Sequence, residues 1–142
     1  VTRVGWLDLG CGVSGDMLLG AIVDAGVPLA VLEKSVAAVG VPVTLSAATV
    51  DKAGLAATKV TVTATEDSPS HRRWAVIREL LAAADLDAAV RSRALLAFTA
   101  LAEAEGAVHG IPAEDVHFHE VGAHDAVADI VGVSAGLAAL EL

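Results

Sequence analysis

Apolar residues recur along this chain with two periods, and the switch between them divides it into elements. Val4–Leu9 reads as a first strand, followed by the glycine-rich turn Gly10–Gly15 and a helix from about Asp16 to Ala25. Leu18, Ala21, Ile22 and Ala25 give that helix an inward face. Gly26 with Pro28, and Gly40 with Pro42, are two helix stops, so a second helix is predicted over Leu29–Val39. Val43–Val50 and Lys59–Ala64 are rich in Val and Thr with alternation at Val60 and Val62, which predicts two strands. After a polar linker at Glu66–Ser70, the residues Trp74, Ile77, Leu80, Leu81 and Ala84 mark a third helical face. Asp87 is placed to cap a long fourth helix whose stripe is Val90, Ala94, Phe98 and Leu101. Val116–Val121 reads as a short strand, and Ala126–Leu142 is apolar apart from Asp129, Ser134 and Glu141. The order β-α-α-β-β-α-α-β-α predicts an α/β or α+β fold with a small mixed sheet packed against helices, in one domain over residues 1–142.

The terminal apolar run is short for a bilayer span and carries a carboxylate near its start, so a buried or interface helix is expected rather than a membrane segment. Its apolar character points to a homo-oligomeric contact or to a longer polypeptide of which this chain is a piece. A formal charge of −9 argues against nucleic acid and against an anionic membrane surface, because phosphates would be repelled. The single cysteine, Cys11, rules out an internal disulfide and fits a cytoplasmic location. Aromatic residues make up only 3% of the chain and tyrosine is absent, so no Tyr serves as acid or base.

Two stretches carry candidate chemistry. Gly10-Cys11-Gly12-Val13-Ser14-Gly15 is a Gly-x-Gly-x-x-Gly pattern between a predicted strand and helix, where bare backbone N–H groups can meet an anion. It also fits the opening motif of S-adenosylmethionine-dependent methyltransferases, with Glu33 near the place of a ribose-binding acid. That enzyme needs a second strand where Leu29–Val39 reads as a helix. The pattern's plainer use is to reverse the chain. Gly132-Val133-Ser134-Ala135-Gly136 matches a nucleophile elbow in letters only, since it falls inside a helical run, and small residues at a helix contact explain it.

The second stretch is denser. Four of the five histidines lie between His109 and His124, around His117-Phe118-His119-Glu120, with Asp125 and Asp129 close behind. On a strand His117 and His119 would share a face roughly 6.5–7 Å apart, near enough to converge on one cation. Imidazole suits nickel, zinc, copper and iron, and Asp8, Asp16 or Asp125 could add oxygen ligands. Such a site should weaken below about pH 6, since imidazole must be neutral to bind. The alternative is a strand of structural histidines, with Asp125 and Asp129 on the solvated face of the next helix. His109 and His124 individually suit supporting or surface roles. His71-Arg72-Arg73 could meet a phosphate or be a solvated helix start.

Taken together, these segments resemble the N-terminal region of the LarC family of nickel-insertion proteins. The resemblance rests on Leu7-Asp8, Gly12-Val13-Ser14-Gly15-Asp16-Met17, His71-Arg72, Leu101-Ala102-Glu103-Ala104-Glu105, Val108-His109-Gly110-Ile111-Pro112, and Val116-His117-Phe118-His119-Glu120-Val121-Gly122-Ala123 with Asp125, Asp129, Ile130, Val131 and Gly132. It is collinear over nearly the whole chain, whereas the methyltransferase likeness covers only the opening. It implies a cytoplasmic nickel chelatase of the lyase class, inserting Ni²⁺ into pyridinium-3,5-bisthiocarboxylic acid mononucleotide to make the nickel-pincer cofactor of lactate racemase. It also implies CTP with Mg²⁺ or Mn²⁺, bound mainly by a C-terminal LarC part that would act as partner. On this reading His117, His119, Asp16, Asp8 and Asp125 are candidate metal ligands, and Gly12, Ser14, Gly15 and Arg72 candidate substrate-binding residues. Glu120 and His119 are candidates for the base that removes the ring proton. A non-catalytic nickel store remains the competing class of function.

Overall fold

The computed structural model describes residues 3–67, 71–119 and 123–142. Five helices carry the architecture: α1 Gly15–Asp24, α2 Leu29–Val39, α3 Trp74–Ala83, α4 Ala88–His109 and α5 His124–Ala139. Two antiparallel ribbons accompany them, β1 Val43–Lys52 with β2 Leu55–Ala64, and the two-residue strands β3 Arg72–Arg73 and β4 His117–Phe118. The α+β class is as expected, and both ribbons are antiparallel rather than parts of one mixed sheet.

α5 is the hub. It packs against α1, α2 and α4, and its apolar character all round follows from that central position. The chain's own elements cover much of this helix, burying Val127, Ala128, Val131, Gly132, Ala135 and Gly136, while Ile130, Val133 and Leu137 are only partly buried. Close approach depends on glycine, because a Cβ on Gly132 would strike Leu19 of α1 and one on Gly136 would strike Ile22. Ser134 donates to the Ile130 carbonyl at 2.7 Å, within its own helix, so the serine motif is a helix contact. Gly20 gives the same closeness on the other side of α1, where an added Cβ would lie 2.5 Å from the Thr58 carbonyl of β2.

The helix stops fall where the sequence puts them. Gly26 has φ +100° and Gly40 φ +76°, the left-handed geometry that closes a helix. α2 begins after Pro28, whose missing N–H costs nothing at a helix start. Asp87 is the N-cap residue of α4, although its side chain makes no capping hydrogen bond. Arg91 closes the preceding helix instead, donating to the carbonyls of Leu81, Ala84 and Leu86 at 3.2, 2.8 and 3.1 Å. The β1–β2 hairpin turns on Ala53-Gly54, both with positive φ, which sets the register from Lys52↔Leu55 to Val43↔Ala64. Both strands run further into this turn than the Val and Thr pattern suggests.

The core extends under the short ribbon. Phe98 of α4 is fully buried, with ring centroids 6.2 Å from both Trp74 and Phe118. Phe118 therefore anchors β4 while its neighbours His117 and His119 remain exposed, the alternation a strand requires.

The expected first strand does not form. Residues 4–9 have no ladder partner among the described residues, and Val4 and Trp6 are 86% and 90% exposed. A strand exists only by pairing, and neither ribbon lies alongside this segment. Among the described residues no helix is long and apolar enough to cross a membrane.

Candidate functional site

The N-termini of α1 and α5 bring three carboxylates into mutual influence. Asp16 lies in the first turn of α1, Asp125 in the first turn of α5, and Asp129 one turn further along α5 on the same face. Asp129 is half-buried, and its carboxylate rests where a side chain on Gly15 would be, since a Cβ there would fall inside the Asp129 carboxyl group. Oδ1 of Asp129 is buried without a hydrogen-bond partner among the described residues. Burial first, then the negative potential of Asp16 and Asp125, pushes the Asp129 carboxyl up to about 6. A carboxyl so placed exchanges its proton near neutrality, which is what a general base needs.

Asp129 lines an apolar cleft of about 530 Å³ between α1, α4 and α5. Ser14 and Gly15 form its lip, Leu18, Ile130, Val133 and Leu137 its walls, and Arg93 contributes a cation. That volume and the mix of apolar walls with few polar groups suit a small organic ligand. Just before Ser14 and Gly15 in the chain, Gly12 has φ +86° and its N–H donates to the Leu9 carbonyl at 2.9 Å. Asp16 Oδ1 accepts from the Ser14 hydroxyl at 2.5 Å and from the Met17 N–H at 3.0 Å, so this helix start already holds a carboxylate of its own.

The imidazoles lie on the short ribbon. β3 pairs with β4 in the register Arg72↔Phe118 and Arg73↔His117, so His71 and His119 come next across the ribbon. Their rings meet edge to face with centroids 5.0 Å apart. His117 and His119 both line a groove of about 340 Å³ that also receives His109, Glu105 and Asp115. His109 Nε2 lies 3.2 Å from Glu105, one helical turn earlier. Arg78 Nη1 donates to both carboxylate oxygens of Glu114, at 3.1 and 3.0 Å, and so ties the 3-10 turn Ala113–Asp115 to α3.

Arg72 points the other way, with its Nη2 3.3 Å from Nδ1 of the buried His124. Arginine has only donors, so Nδ1 accepts and the ring proton of that tautomer sits on Nε2. Arg72 Nη1 is buried without a partner among the described residues, and burial lowers the guanidinium from its ordinary value. Arg72 therefore joins the β3–β4 ribbon to the start of α5, where the carboxylates are.

The residues singled out from sequence divide between these places. His117 and His119 share the groove, Asp16 and Asp125 belong to the carboxylate group, and Asp8 lies on the exposed segment, accepting from the Gly10 N–H at 3.1 Å. Among the described residues no three or more His, Cys, Asp and Glu side chains gather as a metal cage. Glu120 lies outside the described residues. Glu33 is exposed on α2, and that helix occupies the stretch a nucleotide-binding second strand would need, which removes the basis for the methyltransferase reading. Asp129 was legible only as one helical turn from Asp125; its burial against Gly15 was not.

A family model described as nickel insertion protein matches residues 6–142. A "Pyridinium-3,5-bisthiocarboxylic acid mononucleotide nickel insertion protein" of Nocardioides sp. (strain ATCC BAA-499 / JS614) is 57% identical over 132 residues, covering 92% of this chain and 33% of that protein. Two relatives named provisionally for nickel insertion come from Thermomicrobium roseum, 50% identical over 92% of this chain and 32% of its own length, and Synechococcus sp. (strain JA-3-3Ab), 42% identical over 95% and 34%. The chain thus spans about a third of the length of these curated relatives. No solved structure matches it.

Proposed function

Because the chain belongs to the nickel insertion protein family, we propose that it supplies the metal-handling and proton-removing groups for insertion of Ni²⁺ into pyridinium-3,5-bisthiocarboxylic acid mononucleotide. The observation that carries this reading is Asp129, whose carboxyl, pushed up to about 6, lines an apolar cleft of about 530 Å³. Insertion breaks a ring C–H bond and forms a carbon–nickel bond, while the two thiocarboxylate sulfurs replace the ligands the metal arrived with. The departing proton needs a base. Asp129 is a better supported candidate than Glu120 or His119, because it lines the apolar cleft and its carboxyl is pushed up to about 6. The ring's positive charge is matched by Asp16, Asp125 and ionised Asp129, and the phosphate is matched by Arg72 and the N–H groups of Ser14 and Gly15, the Gly12 N–H being taken by the Leu9 carbonyl.

Nickel arrives as a substrate and must be held loosely enough to leave. The exposed imidazoles His117 and His119, without a closed cage, fit that need better than a structural site would. In the full activity CTP with Mg²⁺ or Mn²⁺ is bound mainly by the remaining two-thirds of the family's length, the enzyme is a nickel chelatase of the lyase class, and the product serves lactate racemase. Stoichiometry tests the reading. Protein loaded with Ni²⁺ and dialysed against chelator should lose metal in proportion to added mononucleotide when CTP and the remaining part are present. Metal retention that ignores the mononucleotide would mark a store and overturn the chelatase.

A further inference from the structure

We propose that His71 and His119, facing each other across the β3–β4 ribbon, form a two-imidazole capture site for a divalent first-row transition metal. The inference rests on the nickel-insertion reading and deepens it by naming the groups that first take the metal from solution. A metal–nitrogen distance of about 2.1 Å plus about 1.1 Å from nitrogen to ring centre puts each centroid about 3.2 Å from a shared ion. Two rings subtending roughly 90–110° at that ion then have centroids about 4.5–5.3 Å apart. The observed centroid separation of 5.0 Å lies inside this range.

The ribbon explains why the pair is there. Phe118 is buried against Phe98 and Arg72 reaches inward to His124, so the alternate positions His71 and His119 must face out. Both are exposed, as an uptake site requires. His117 shares their face and lines the adjoining groove, but its cross-strand partner is Arg73, so the facing imidazole pair is His71 and His119. Two protein ligands leave the remaining coordination positions to water, and these are the positions that an incoming thiocarboxylate would claim. The adjoining groove lined by His109, His117 and Glu105 gives a displaced metal further weak ligands on its way.

The test separates ligation from ring packing. His71→Phe and His119→Phe keep an aromatic edge-to-face contact on the ribbon and remove the ligand nitrogen, and a melting curve for each variant checks the fold. With Ni²⁺ alone as probe, calorimetry of each single variant should show at least a tenfold loss of affinity. The double variant should bind no worse than either single, because losing one imidazole already breaks the chelate. The wild type should prefer Cu²⁺ over Ni²⁺ and reject Mn²⁺. Wild-type nickel affinity in either folded single variant, or losses that multiply in the double, overturns the proposal. Nickel bound by this pair without any conversion of the mononucleotide would leave the pair standing and the chelatase reading fallen; conversion undisturbed by both variants would do the reverse.

Discussion

Asp129→Asn is expected to cut conversion of the mononucleotide about a hundredfold or more while making the fold more stable at neutral pH. The loss follows from removing a general base, whose contribution is typically about 10²–10⁴ in rate. The gain follows from linkage. The Asp129 carboxyl stands at about 6 in the folded chain against 3.8 for an ordinary aspartate, so between these values the folded state holds the extra proton. Stability therefore falls as pH rises through that window and is lowest once the carboxylate is fully ionised above it. Since the group is half-exposed, screening reduces the effect, and about 1 kcal/mol is expected for the asparagine variant at pH 7.5. Melting curves from pH 4 to 8 should show the variant above the wild type at pH 7.5 and the two converging near pH 4. A variant less stable than wild type at pH 7.5, or fully active, would remove Asp129 from the role given to it.

Phe98→Ala should be the most damaging single change to the fold near the imidazoles. Phe98 is fully buried between Trp74 of α3 and Phe118 of β4, and truncating such a ring costs about 3–5 kcal/mol. For a chain of this size that is a fall of roughly 10 °C in melting temperature. The lost contact is also the one that seats β4, so nickel binding by His119 should weaken in the variant even at temperatures where the chain remains folded. A melting scan beside a nickel titration checks both, and a drop of only about 2 °C would show that the ring is not the anchor it is taken to be.

The parts of this fold that depend on near neighbours could be read from the chain. α2 lies at Leu29–Val39 as expected, because Pro28 before it and Gly40 after it fix both ends through local backbone geometry. Residues 4–9 have the right alternation for a strand, but pairing is a relation between two segments and the alternation of one cannot supply it. The extension of β1 to Lys52 and of β2 back to Leu55 came from the Ala53-Gly54 turn setting register, which an apolar pattern does not encode. At the site, helical spacing shows that Asp125 and Asp129 share a face. Whether that face is solvated depends on α1 arriving with a glycine at Gly15, far away in sequence. His71 is the same kind of case, since only the ribbon register brings it to His119.

The most direct test of the central claim is the mass and absorbance of the mononucleotide after incubation with Ni²⁺, CTP and this chain supplied with the remaining two-thirds of its relatives' length. The expected product is heavier by one nickel and lighter by the ring proton. Asp129→Asn is expected to suppress this product while nickel still binds the protein. Recovery of unchanged mononucleotide from protein that has bound both nickel and CTP would contradict the central claim.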